Sequence, residues 1–272
     1  MTPDLLDIFG YGFMQRALLA GIVTGIVAPV IGTFLVVRRY AIMADTLAHV
    51  SLVGVAASIL GGFTNPVYGA AAVSVLASIG IEELRARGRL YGESVLALFL
   101  SGSLAIAVIL VGLGRGMNVN FTQYLFGSIT TVTWTNVVVL AAFAILAIGL
   151  IALTYRRLFL VAFDEDLARA GGIRLRAYNA MQMALAALTV SLSIQIVGAL
   201  LIGALMVIPV LTAMQFRRSF LATMLLSVGF SVVSVVVGLL ASVSLNLASG
   251  GTIVLVSLIL FVASFTIGKK QA

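Results

Sequence analysis

The chain has 272 residues, of which 62% are hydrophobic and 9% charged, with a mean hydropathy of +1.21. Soluble domains carry about 25% charged residues, so this composition excludes one and indicates an integral membrane protein. The formal charge of +7 does not indicate nucleic acid: all lysines and arginines except Arg16 and Arg115 fall into five clusters between apolar runs. Basic residues gather in cytoplasmic loops because they resist translocation, so the clusters report topology. With no cysteine, disulfides, thiolate metal sites and cysteine nucleophiles are excluded.

The apolar runs are long enough for helices rather than barrel strands. No polar interval is long enough to bury a core of its own, so residues 1–272 form one transmembrane domain. Residues 1–14 read as an amphipathic lead-in at the outer surface; with Asp4 and Asp7 and no basic residue before Arg16, they lack a signal-peptide start. Arg16 to Val37 is the first expected span, with Gly21 and Gly25 as a small-residue face for close helix contact. Arg38 and Arg39 end it, which puts the N-terminus outside. Ala41 to Leu60 returns outward, Gly61 to Pro66 is a turn, and Val67 to Ile81 leads back to a charged loop, Glu82 to Glu93.

Ser94 to Leu113 is the next span, and Glu93 reads as a helix-start charge. Gly114 to Thr135, with Asn118 and Asn120, is too polar to face lipid and too apolar for a free loop, so a short helix dipping into the bundle is expected. Trp134 and Tyr124 suit the interface. Asn136 to Tyr155 re-enters the cytoplasm, followed by the charged segment Arg156 to Arg176. Ala177 to Phe216 is long enough for two spans, with a turn near Gly198–Gly203 and a kink at Pro209. Gln195 lies in this stretch and reads as an interhelical hydrogen-bonding residue or part of a path. Phe220 to Leu240 goes out and Thr252 to Gly268 returns to Lys269 and Lys270. The expected fold is therefore an all-α bundle of about eight to nine spans with a cytoplasmic C-terminus.

Two features carry chemistry. Asp45 and His49, the only histidine, are four residues apart and stack on one helical face. An ionised group at a helix centre costs roughly 2.5–3.5 kcal/mol on insertion scales. One reading places Asp45 near the interface, paired with Arg38 or Arg39, beside a packed neutral histidine. The other makes the two a ligand pair. Carboxylate with imidazole suits zinc or manganese better than calcium or magnesium, and two ligands are too few for a closed site, so further groups or a second subunit would complete the shell. The other feature is the short helix Phe163–Ile173, whose acids precede its basic residue as the helix dipole favours and which glycines terminate. Its apolar side, with Phe163 and Leu167, calls for a docking partner.

No phosphate-cradling Gly-x-x-x-x-Gly-Lys-Ser/Thr occurs, and the acid-rich span interiors of a proton-coupled antiporter are missing. The chain thus holds no nucleotide site of that kind and is not itself an enzyme.

Ala44-Asp45-Thr46-Leu47-Ala48-His49 with the preceding arginine pair resembles the opening block of the zinc/manganese/iron ABC-transporter permeases. Val197 to Pro209, ending at Thr212-Ala213, resembles a second block of that family, and Ser249-Gly250-Gly251-Thr252-Ile253-Val254-Leu255 a late one; a proline often precedes that serine where this chain has Ala248. The resemblance implies a type II ABC importer-like permease in the cell membrane. Such a permease pairs with a second permease subunit, identical or paralogous, carries two cytoplasmic ABC ATPase subunits and receives metal from an extracellular binding protein. It implies no permanent cofactor, only a transported zinc, manganese or ferrous ion. The family's metal pair maps onto Asp45 and His49. Its ATPase-coupling helix maps onto Phe163, Asp164, Glu165, Leu167, Ala168 and Gly172. The alternatives are an ATPase-independent carrier or channel, and a non-transporting membrane scaffold.

Overall fold

The computed structural model describes residues 12–86, 92–114, 121–245 and 247–268. Asn118, Asn120 and the lead-in up to residue 11 lie outside them. In hydrocarbon every backbone N–H and C=O must find its partner within the segment, and the apolar runs answer with helices: α1 Gly12–Val37, α2 Ile42–Leu60, α3 Pro66–Ala86, α4 Gly92–Leu113, the short α5 Phe121–Phe126, α6 Trp134–Phe163, the short α7 Glu165–Ala170, α8 Leu175–Val197, α9 Ala199–Met214, α10 Phe220–Leu245 and α11 Ser249–Gly268. Among the described residues seven helices are long and apolar enough to cross a membrane; α9 and the Ser249–Phe265 part of α11 are shorter apolar helices. The protein is thus a multi-pass membrane protein.

Helices α1, α2 and α8 form the buried centre, while α4 and α6 present most of their surface outward. α1 packs against α10, α6, α9 and α8; α2 packs against α3, α4, α9 and α8. The Gly21–Gly25 face of α1 meets Val235 and Ser231 of α10. Hydroxyls hold the centre together where the apolar effect is weak. Ser51 on α2 bonds Ser74 on α3 (2.7 Å) and Ser191 on α8 (3.1 Å), and Thr24 on α1 bonds Ser193 on α8 (3.1 Å).

The basic residues Arg38 and Arg85 converge at one end of the bundle, both against the ring of Tyr40. At the same end α6 runs eight residues past the expected stop at Tyr155. Aromatic packing carries it: Phe159 and Phe163 lie one turn apart with ring centroids 4.6 Å apart, and Phe159 meets the Phe220 ring edge-on at 5.3 Å. Phe163 therefore ends α6 instead of opening the following short helix. Asp164 caps that helix, its Oδ1 accepting from the Leu167 N–H at 2.9 Å, an N-cap arrangement.

The reversal between α8 and α9 uses one residue, Gly198, at φ +92°. That backbone suits glycine alone, and a Cβ there would also meet the backbone of Leu125, Phe126 and Gly127. Gly203, expected in the same turn, lies inside α9.

Candidate functional site

Asp45 lies in the first turn of α2 and His49 one turn on. α2 is mostly buried, and the part left uncovered is a stripe at helical spacing, Ile42, Asp45, His49, Val53 and Ala57, with Ile59 and Leu60 at the helix end. Both ionisable residues of the helix fall on that stripe. The neighbouring helix α9 leaves its own stripe uncovered at Leu200, Ala204, Val207, Leu211 and Met214. The two helices touch at Asp45 itself, because Gly203 gives the carboxylate the space a side chain would take: a Cβ there would overlap Oδ1 and stand 2.9 Å from Cγ.

The imidazole is oriented by its own helix. Its Nδ1 lies 2.9 Å from the Asp45 backbone carbonyl oxygen. A carbonyl only accepts, so Nδ1 donates and the lone pair of the neutral ring stands on Nε2, the usual way a ligating histidine is fixed. A carboxylate and an imidazole then occupy adjacent turns of one partly uncovered face. Among the described residues no cluster of three or more His, Cys, Asp or Glu is present, so no third group of these types joins Asp45 and His49. Arg38 does not serve as the partner of Asp45: it turns away to Glu165, Asn179 and Gln182. Among the described residues Asp45 makes no ion pair with an arginine.

The expected docking segment divides. Phe163 closes α6 and is 58% exposed, Asp164 caps α7, and Leu167 on α7 is 57% exposed. Ala168 is the buried residue that seats α7 on the bundle. Glu165 is bonded to Arg38, and Gly172, at φ +75°, completes the turn out of α7. Exposed apolar groups beside acidic ones thus project from the basic end. Elsewhere, Glu93 lies in the first turn of α4. Gln195 accepts from the Asn136 side-chain amide, and its carbonyl accepts from the Ser128 N–H at 2.9 Å. Two residues take a role the sequence does not announce: Gly203, expected in a turn, and Arg38, expected as a topology mark or as a partner of Asp45.

The all-α bundle with its seven membrane-length helices among the described residues has the architecture of a membrane permease. The chain belongs to the ABC 3 transport family, whose model matches residues 10–268. It is 33% identical over 272 residues to the manganese import system permease protein ScaB of Streptococcus parasanguinis, covering 100% of this chain and 96% of that one. It is 31% identical over 250 residues to the high-affinity zinc uptake system membrane protein ZnuB of Haemophilus influenzae, covering 91% and 95%. Among solved structures it is similar to PsaBC from Streptococcus pneumoniae in complex with Fab, with a TM-score of 0.86 and 31% identity over 97% of this chain and 95% of that one.

Proposed function

We propose that this chain is the membrane-spanning subunit of an ATP-driven importer for divalent transition-metal ions, and that Asp45 and His49 are the ligands that take the ion in transit. One observation carries the reading: the uncovered stripe of α2 holds both residues, with Nδ1 tied back and Nε2 left to bind. A carboxylate turned to lipid is costly, so the stripe needs either water or a second protein surface. A second permease subunit set against the α2 and α9 stripes answers both needs, encloses a path between the subunits and doubles the ligand count toward the four that a closed zinc site uses. A half-site in each subunit also suits transport, which must bind an ion and then release it.

The basic end faces the cytoplasm on this reading, as positive residues require. α7, with Leu167 and neighbouring Phe163, docks a separate ABC ATPase chain there, and a metal-binding protein delivers the ion at the opposite face. Manganese, zinc and ferrous iron all accept this ligand chemistry, and the relatives named for manganese and zinc support that range. The test is manganese and zinc uptake into proteoliposomes holding this chain, its ATPase and its binding protein. ATP-dependent uptake that Asp45→Ala and His49→Ala each abolish, with the complex intact, supports the proposal. Uptake without ATP or ATPase shows a self-contained carrier instead.

A further inference from the structure

We propose that Arg38 is the positioning residue that joins the ATPase-docking helix α7 to the metal-holding turn of α2. A displacement of α7 is thereby delivered to Asp45. The proposal rests on the reading of α7 as the docking helix.

Arg38 directly follows α1, and its side chain is only 3% exposed. A guanidinium so buried persists only where its donors are engaged. Nη1 donates to Asn179 Oδ1 at 2.9 Å and to Gln182 Oε1 at 3.2 Å, both on α8. Nη2 donates to Glu165, the first residue of α7. One planar fork therefore fastens α7 and α8 to the end of α1, a task a single ammonium cannot perform.

The same guanidinium reaches α2 through Tyr40. It lies 4.9 Å from the centre of the Tyr40 ring, and Arg85 of α3 lies 3.8 Å from it. Both distances are within cation–π range. The Tyr40 carbonyl accepts from the Met43 N–H at 3.0 Å, and the Tyr40 N–H donates to the Leu35 carbonyl at 2.8 Å. Between them Arg39 holds a left-handed φ of 61°, so the link from α1 to α2 is a tight, constrained turn that transmits movement instead of absorbing it. Asp45 follows within one turn of Met43. Among the described residues two buried donors at this junction, Gln182 Nε2 and Arg85 Nε, have no hydrogen-bond partner.

Simple helix-end stabilisation by Arg38 predicts something different. Glu165 is 44% exposed, so removing its charge would then leave transport untouched. The experiment measures metal ions taken up per ATP hydrolysed by the full complex in proteoliposomes, for wild type, Glu165→Gln and Arg38→Lys. Glu165→Gln spares the buried groups, and Arg38→Lys keeps the charge while losing the fork. Arg38→Lys is expected to retain the ATPase and its basal hydrolysis, and in both variants ions per ATP fall about tenfold or more, the size of one lost charge-assisted hydrogen bond. An unchanged ratio in both variants overturns the proposal. So does loss of the ATPase from the Glu165→Gln complex, which would make Glu165 a docking contact. A wild-type complex that moves no metal with ATP is a different result and overturns the transport reading itself.

Discussion

Gly203→Ala puts one methyl group where the Asp45 carboxylate now lies. The new Cβ would overlap Oδ1, stand 2.9 Å from Cγ and 3.3 Å from the Asp45 backbone nitrogen. Carbon contacts settle at about 3.5–4.0 Å, so the carboxylate must swing away by about 1 Å at Cγ and farther at Oδ1, while the backbone gives by only a few tenths. Stability changes little, because the group displaced is the free end of a side chain and alanine gains roughly 0.5–1 kcal/mol over glycine inside a helix. Metal handling changes much more: disturbing a group that orients a ligand typically lowers affinity about 10–100-fold. We expect manganese or zinc uptake to fall by that factor while the thermal midpoint in detergent stays near wild type. In an Asp45→Ala background Gly203→Ala adds nothing further, since the two act through one group. Wild-type uptake by Gly203→Ala would refute the reasoning, because the carboxylate would then have no fixed position to lose.

Phe34, 1% exposed and packed edge-on against Phe220 with centroids 5.1 Å apart, should cost about 3–5 kcal/mol when truncated to alanine; thermal unfolding in detergent reads the loss. Gly198→Ala forces a side chain onto φ +92° against neighbouring backbone and should destabilise by at least about 1–3 kcal/mol, read in the same assay. Leu167→Asp replaces an exposed apolar contact with a charge and should strip the ATPase from the purified complex without changing the fold, which co-purification and circular dichroism report.

The bundle was legible because lipid imposes one rule on every span, so long apolar runs between basic clusters could be read as helices without knowing their neighbours. Asp45 and His49 were legible for the same reason: ionisable groups are rare in such runs, and a spacing of four places them on one face. The details that depend on other elements were not. Arg156 and Arg157 mark Tyr155 as the end of the span, yet the packing of Phe159 and Phe163 on Phe220 carries the helix on. The sequence suggests a turn spanning Gly198 and Gly203, but only Gly198 has the backbone a turn demands; Gly203 is needed for what lies across from it. Arg38 and Glu165 are 127 residues apart, and no local pattern announces that they meet.

The most direct test of the account is metal uptake into proteoliposomes by the complete complex carrying Asp45→Asn or His49→Gln, changes that keep size while removing the carboxylate or the ring nitrogen. The account predicts ATP-dependent uptake by wild type, loss of uptake in both variants, and ATP hydrolysis and subunit assembly retained in each. Uptake at the wild-type rate by either variant would contradict it.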